Sequence, residues 1–504
     1  MSFHSAININ LVLSYFYSHT IFSMTEMIEG VSKLFKRFSG KEADRIEKLP
    51  QSGSDRNYFR IYSSGNTFIA TYNENKAENK TFISCTLHFR RMGLPMPDVF
   101  AANDEQTIYL QEDLGSISLL DKLENLGYCE EVFALYKQTL AQLSKVQIDG
   151  DKGFDYNICL TAKEFGKQAI MSDLLYFKYY FLDTLKMPYD KQAMLNDFDT
   201  LSNYLNKSGE KYFMYRDFQS RNVLVNNDKV FFIDYQGGMK GALQYDVASL
   251  LWQAKANLPK EWKDKLLEEY IGETEKNLSA VIDRDTFISQ YNGFVLIRLV
   301  QVLGAYGFRG LFERKAHFLS SIPLALQNLS FFVANHQISS ATPELDRMLK
   351  EITRKEIIER FESTKANENS PLVINIYSFS YKQNLPEDNS GNGGGFLFDM
   401  RGILNPGRFE AYKHLTGRDK EVKDFLEQKT KMPEFLNNAF NTVDITVEDY
   451  LQRDFENLIV GFGCTGGQHR SVYAADAMAR HLKNKFKVKV KVNHLVQDKK
   501  NWVN

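Results

Sequence analysis

The sequence predicts an α+β chain of two lobes, a small β-rich N-lobe and a large helical C-lobe, with a separate C-terminal α/β domain behind them. Three observations predict it. Short stretches of alternating apolar and polar residues dominate from Val31 to Gly115. From Ser116 to His336 the periodicity is mostly helical, interrupted at Tyr212–Gly241 by two strand-like runs. After a polar stretch at Ala366–Pro371 a strand returns at Val373–Phe379, and a strand, a Gly-rich turn and a helix follow from Leu458.

Taken in order, residues 1–30 read as a poorly ordered N-terminal extension. Ile7–Met24 is apolar but lacks the basic opening and small-residue cleavage site of a signal peptide, so a membrane anchor is the minority reading, and Met24 and Met27 are alternative starts. Residues 31–115 form the N-lobe. Tyr58–Tyr62 and Thr67–Thr71 make a hairpin around Ser63-Ser64-Gly65-Asn66, Ala77–Met92 a helix stopped by Gly93, and Thr107–Gln111 a strand. Residues 116–340 form the C-lobe. Thr342-Pro343 opens an amphipathic helix within a helical linker, residues 341–371. Residues 372–504 are the last domain, with a flexible loop at Gly391–Gly395.

Composition narrows the class. A chain of 504 residues is too long for one core. With 62 basic and 63 acidic residues its formal net charge is −1, which removes a whole-chain argument for nucleic-acid binding. Four cysteines, Cys85, Cys129, Cys159 and Cys464, show no disulfide or zinc spacing. No apolar run reaches the length of a membrane span, and a cytoplasmic setting is expected.

The densest chemistry lies in Tyr215-Arg216-Asp217-Phe218-Gln219-Ser220-Arg221-Asn222 and in Asp234. Phosphoryl transfer to a hydroxyl needs a carboxylate at the attacking oxygen and oxygen ligands for magnesium. Asp217 and Asn222 share a loop, and the runs Val223–Val225 and Val230–Ile233 read as a hairpin that returns Asp234 beside them. Asp217 is then the base, and Asn222 and Asp234 the magnesium ligands. Arg221 either steadies the transferred phosphoryl group or is a plain surface residue.

This segment resembles the aminoglycoside-phosphotransferase and kinase-like superfamily, with Tyr215 in the place of a His and Asp234-Tyr235-Gln236 in the place of Asp-Phe-Gly. Gln244–Leu251 looks like the same family, in which Asp246 caps a helix and braces the catalytic loop. Arg56–Arg60, Met92–Pro97, Glu112–Gly115, Arg216–Asn222 and Ile233–Gln236 resemble the N-acetylmuramate/N-acetylglucosamine 1-kinases more narrowly. The resemblance covers roughly residues 49–336 and implies a protein-kinase-like fold, ATP and Mg2+ as cofactors and an amino-sugar substrate. It places Ser52, Gly53 and Ser54 at the phosphates, though a plain polar loop is an equal reading, and Gln111, Glu112 and Leu114 at the adenine hinge. One departure matters: Phe68–Tyr72 carries no lysine where kinases pair the phosphates. Arg56, Arg60, Lys76 and Lys80 are the candidates to replace it.

A second chemical signal is Gly463-Cys464-Thr465-Gly466-Gly467-Gln468-His469-Arg470-Ser471, where a strand enters a Gly-rich turn and then a helix. Backbone N–H groups of the turn with Arg470 suit a phosphate. The Cys464-x5-Arg470 spacing also matches a cysteine-phosphatase loop, without a visible general acid. Together with Ser378–Tyr381, Phe398–Arg401, Leu404–Pro406 and Leu415–Gly417, this segment looks like the C-terminal domain of the RapZ family. That resemblance implies a sugar-phosphate sensor that contacts ligand through Cys464, Thr465, Gly466, Gly467, His469, Arg470, Ser471 and Asn405, and oligomer contacts. The family's own P-loop domain is absent, which weakens its RNA-adapter role. The lysines alternating along Lys487–Lys491 are read as a solvated, edge-protecting face rather than an RNA patch. The combined expectation is an amino-sugar kinase of cell-wall recycling carrying a sugar-phosphate-sensing domain. The alternatives are a kinase for an aminoglycoside or choline, and a non-catalytic adapter.

Overall fold

The computed structural model describes residues 24–49, 56–313, 316–336, 341–362, 365–383, 385–388, 391 and 394–500. Its fold is protein-kinase-like, followed along the chain by a separate domain built on a parallel sheet.

The N-lobe is a five-stranded antiparallel sheet in the order β1-β2-β3-β5-β4, made of Arg45–Lys48, Asn57–Ser63, Asn66–Tyr72, Val99–Ala102 and Ile108–Glu112 as β1, β2, β3, β4 and β5. The expected hairpin is present, with Ser63 paired to Asn66 across its turn. Helix α1, Met24–Ser39, begins inside the stretch assigned to the extension. Its apolar positions recur every three or four residues, and Val31, Leu34 and Phe35 lie buried with Phe59, Ile61 and Leu110 of the sheet. Helix α2, Lys76–Arg91, follows β3; the Asn75 side chain caps it by accepting the Glu78 N–H, and Gly93 leaves it at φ +71°.

In the C-lobe, Leu119–Leu126 and Glu130–Asp151 (α3 and α4) precede Lys167–Phe177 and Lys191–Asn206 (α5 and α6). Strand β6, Tyr212–Met214, pairs with β9, Met239–Gly241, and between them Val223–Asn226 and Lys229–Phe232 (β7 and β8) form the predicted hairpin. Its turn places Asn227 and Asp228 at φ +48° and +57°, the hairpin geometry these residue types tolerate best after glycine. Leu243–Leu251, Lys260–Leu278 and Arg284–Tyr306 are α7, α8 and α9.

One expectation needs correction: α9 and the π-turn after it, Arg284–Phe312, are together long and apolar enough to cross a membrane, with an 18-residue window of mean hydropathy 1.4, of which 61% is buried within the protein. A run count misses it because single polar residues such as Arg298 and Gln301 interrupt it. The chain divides into two compact units. One holds residues 1–173, 191–299 and 335–343; the other holds 174–190, 300–334 and 344–504. Helix α10, Pro343–Ile352, expected in a linker, buries Leu345, Met348, Leu349 and Ile352, and is therefore a packed element.

The last domain is a four-stranded parallel sheet ordered β11-β12-β10-β13, where Val373–Ser380, Phe396–Asp399, Asn457–Cys464 and Lys489–His494 are β10, β11, β12 and β13. Helices Lys420–Lys429, Met432–Gln452 and Arg470–Phe486 (α11, α12 and α13) enclose a core with Ile374, Ile376, Val460, Phe462 and Leu482. Strand β13 is an edge, and its Lys489 and Lys491 are exposed, which suits edge protection.

Candidate active site and C-terminal loop

The loop between β6 and β7 is held in an unusual shape by one buried carboxylate. Asp246, in the first turn of α7, accepts the N–H groups of Tyr215 (2.7 Å) and Arg216 (3.0 Å), and the Gln147 amide at 3.1 Å. It lies within the first turn and is not the helix cap, which is Ala242. Burial pushes its carboxyl up to about 7 despite those three donors. The brace is needed because Arg216 sits at φ +79°, a strained left-handed conformation for a side chain with a Cβ. Tyr215 contributes a second tie, donating its hydroxyl to the Ile233 carbonyl. A tyrosine here thus links the loop to the strand end that carries Asp234.

The geometry brings Asp217, Asn222 and Asp234 together. Asn222 Nδ2 donates to the Asp217 carbonyl at 2.9 Å and lies 3.5 Å from Asp234 Oδ2. Asp234, itself at φ +71°, receives the Gln236 amide on Oδ1 at 2.8 Å. The Asp217 side chain is 53% exposed, yet cations crowd it: Arg298 Nη1 stands 3.2 Å from Oδ1. Partial loss of water around it favours the neutral acid, but the charges of Arg298, Arg216 and Arg221 outweigh this and hold its carboxyl below the ordinary carboxylate range. Arg221 is exposed. Arg216 is bonded to Asp173 at 2.7 Å and to the Tyr245 hydroxyl at 2.7 Å.

Of the four candidates for the missing lysine, Arg56 lies at the site. Its side chain is 5% exposed, pairs with Glu78 of α2, and stands 3.6 Å from Asp234 Oδ1. Its Nε, like Gln236 Oε1, is buried with no hydrogen-bond partner among the described residues. Arg60 is held by Asp113 at 2.7 and 3.1 Å, and Lys76 and Lys80 are exposed on α2. Gln111 and Glu112 end β5; Gln111 Oε1 is buried with no hydrogen-bond partner among the described residues, Glu112 Oε2 accepts the Asp98 N–H, and Leu114 is buried. Ser52, Gly53 and Ser54 lie outside the described residues.

Sequence reasoning missed Arg298, Glu78 and Gln236. The signal for Arg298 was present: one cation inside the apolar run Phe294–Val300 calls for a buried partner. Glu78 and Gln236 carried no such signal, since each is unremarkable until the strands bring it to Arg56.

In the last domain, the loop expected to hold phosphate joins β12 to α13 at the carboxyl edge of the parallel sheet, where such folds place ligands. Cys464 is buried; its sulfur accepts the Gly467 N–H at 3.1 Å and lies 3.2 Å from the Ser471 hydroxyl. Only glycine suits position 467, at φ +65° and with a Cβ 2.4 Å from Val496. Thr465 and Gly466 are exposed, and a Cβ on Gly466 meets open space. Arg470 differs from its expected use. It is 3% exposed, and its Nη1 donates to the carbonyls of Met400, Arg401 and Ile403 at 3.1, 3.2 and 2.7 Å, pinning that segment; its Nε is buried with no partner among the described residues. His469 donates to the Tyr412 carbonyl at 2.8 Å, and burial lowers its pKa. Asn405 caps a short turn by accepting the Gly407 N–H, and Gly407 lies against the His469 ring.

The loop after β6 thus gathers one carboxylate, Asp217, beside two oxygen-bearing side chains, Asn222 and Asp234. Residues 45–281 match the model of the phosphotransferase enzyme family, and residues 372–498 match that of the RapZ C-terminal domain. The chain therefore carries both domains. Curated relatives include a nucleotide-binding protein of Endomicrobium trichonymphae, 38% identical over 24% of this chain and 41% of that protein. Another, from Glaesserella parasuis, is 30% identical over 37% of this chain and 64% of its own length. The chain thus spans less than two thirds of either. Among solved structures, a choline kinase from Cryptosporidium parvum is 13% identical, covers 65% of this chain and 99% of its own, and has a TM-score of 0.44.

Proposed function

We propose that the chain transfers the γ-phosphoryl group of ATP to the anomeric hydroxyl of an amino sugar, N-acetylmuramate or N-acetylglucosamine. The observation that carries this is the Asp217–Asn222–Asp234 cluster, with an exposed carboxylate at Asp217 and two oxygen-bearing side chains beside it. These residues fit magnesium. Asn222 gives its Nδ2 to Asp217, which leaves Oδ1 as a ligand, and Asp234 is 45% exposed beside it. Bound there, the ion neutralises charge on the phosphates. Asp217 orients the acceptor hydroxyl and accepts its proton, and Arg56 meets the phosphates from the N-lobe side.

The guanidinium of Arg298, 3.2 Å from Asp217, and the exposed Arg221 support a neutral or acidic acceptor over cationic aminoglycosides or choline. ATP turnover with a panel of N-acetylmuramate, N-acetylglucosamine, an aminoglycoside and choline tests this. Phosphorus NMR of the product is expected to show an anomeric sugar phosphate. Turnover with only the cationic acceptors, or with none, overturns it.

For the last domain we propose a sugar-phosphate site at Thr465–Gly467, supported by the family match and by the exposed turn at the sheet edge. Calorimetry on the full chain is expected to detect glucosamine-6-phosphate. Gly466→Val should abolish that binding with an unchanged unfolding midpoint, because its side chain enters open space. Equal binding by this variant refutes the location.

A further inference from the structure

The central stretch of α9 is a poor place for a charge. Phe294, Val295, Leu296, Ile297, Leu299 and Val300 are each at most 4% exposed, and Arg298 among them is 4% exposed too. Removing a guanidinium from water costs several kcal/mol unless a partner and hydrogen bonds offset it, and a methionine of similar volume packs there without that cost. What the arginine adds is direction: its Nη1 lies 3.2 Å from Asp217 Oδ1.

The other cations near Asp217 are poorly suited to that task. Arg216 is engaged by Asp173 and the Tyr245 hydroxyl, and its guanidinium lies 4.6 Å from the Phe165 ring centre and 5.1 Å from that of Tyr245. Arg221 is exposed at the end of a long, mobile side chain. Asp217 itself is 53% exposed, so packing alone leaves its side-chain torsions free to turn. A contact made from a rigid helix 81 residues further along the chain is a fixed reference point that the loop cannot supply for itself.

We propose that Arg298 is a positioning residue for the transfer: it grips Oδ1 of Asp217 so that the second carboxylate oxygen faces the acceptor hydroxyl. The inference rests on the proposed role of Asp217 as base. It adds a requirement which that role alone does not make, namely that the carboxylate be aimed by a group outside the loop. Arg298 touches neither substrate nor phosphate in this account, so its loss acts on kcat and leaves both KM values in place.

The test uses the full chain, ATP with magnesium, and N-acetylmuramate as acceptor. Arg298→Met is expected to lower kcat about a hundredfold, the usual effect of a small misplacement of a reacting group. KM for ATP and acceptor should stay within about twofold. Arg298→Lys, which keeps the charge on a less directional group, should recover about tenfold of that loss. In the Asp217→Asn background, Arg298→Met should cause no further drop, because both changes remove one unit. A folded Arg298→Met enzyme with kcat near wild type overturns the proposal. So does a loss confined to KM, or a lysine variant no better than methionine. If Arg298→Met does not fold, Arg298→Lys decides: a lowered kcat at unchanged KM supports positioning, and a wild-type kcat refutes it. Failure of the underlying reading looks different, since Asp217→Asn would then itself turn over normally.

Discussion

Asp217→Asn is expected to lower kcat by about two to four orders of magnitude, the usual contribution of a positioned general base. The substitution is close to isosteric, and the amide oxygen can still accept from Arg298. The backbone carbonyl that receives the Asn222 amide is untouched, so the pairing of Asn222 with Asp234 persists. The loop keeps its shape because Asp246, not Asp217, holds the Tyr215 and Arg216 amides. What disappears is the anionic oxygen that takes the acceptor proton as the bond to phosphorus forms. KM for ATP should therefore change little while kcat collapses, and a coupled assay of ADP release at saturating acceptor separates the two. Buried Arg298 loses its counter-charge in this variant, so a modest fall in unfolding midpoint is also expected. Wild-type turnover would remove Asp217 from the chemistry altogether.

The shape of the loop after β6 was legible in the sequence because its parts are local. Asp217, Asn222 and Asp234 fall within eighteen residues, and the hairpin that folds Asp234 back is itself a strong local signal in Val223–Val225 and Val230–Ile233. The strand–turn–helix at Cys464–Ser471 was readable for the same reason. Contacts made across elements were not. Arg56 was one of four equal candidates until the pairing of Asn57 with Tyr72 put it past the end of β3, beside Glu78. Arg298 acts on Asp217 across 81 residues, beyond the reach of any local pattern. Arg470 shows the opposite failure. An arginine at a glycine turn looks like an anion clamp, and only burial reveals that its Nη1 holds the carbonyls of Met400, Arg401 and Ile403. Helix α1 was legible but overlooked: Met24, Met27, Ile28, Val31, Leu34 and Phe35 keep helical spacing, which the apolar stretch before them obscured.

The second large effect is expected at Arg56. Strand β3 offers Phe68, Ile69, Ala70, Thr71 and Tyr72, none of which can meet a phosphate as a cation. Arg56 enters from the start of the neighbouring strand, pairs with Glu78 on α2 and stands 3.6 Å from Asp234. Gln236 completes the group, donating to Asp234 at 2.8 Å and lying 3.4 Å from Glu78. A guanidinium suits this place because its planar fork can serve two carboxylates and still present N–H groups to phosphate oxygens. Its Nε, buried without a partner among the described residues, is consistent with such an unfilled contact. Arg56→Ala leaves Glu78 and Asp234 beside each other without their cation, and charge-assisted contacts of this kind are worth roughly 1.5–3 kcal/mol each. KM for ATP should rise by about ten- to a hundredfold by that measure, with kcat falling as well. Arg56→Lys should recover part of both, and binding of ADP by calorimetry should weaken in parallel without any acceptor present. Lys76→Ala and Lys80→Ala, on the exposed side of α2, should leave ATP kinetics as they are. Unchanged ATP kinetics in Arg56→Ala would mean that no side chain replaces the lysine, and that the backbone around Ser52–Ser54 holds the phosphates alone.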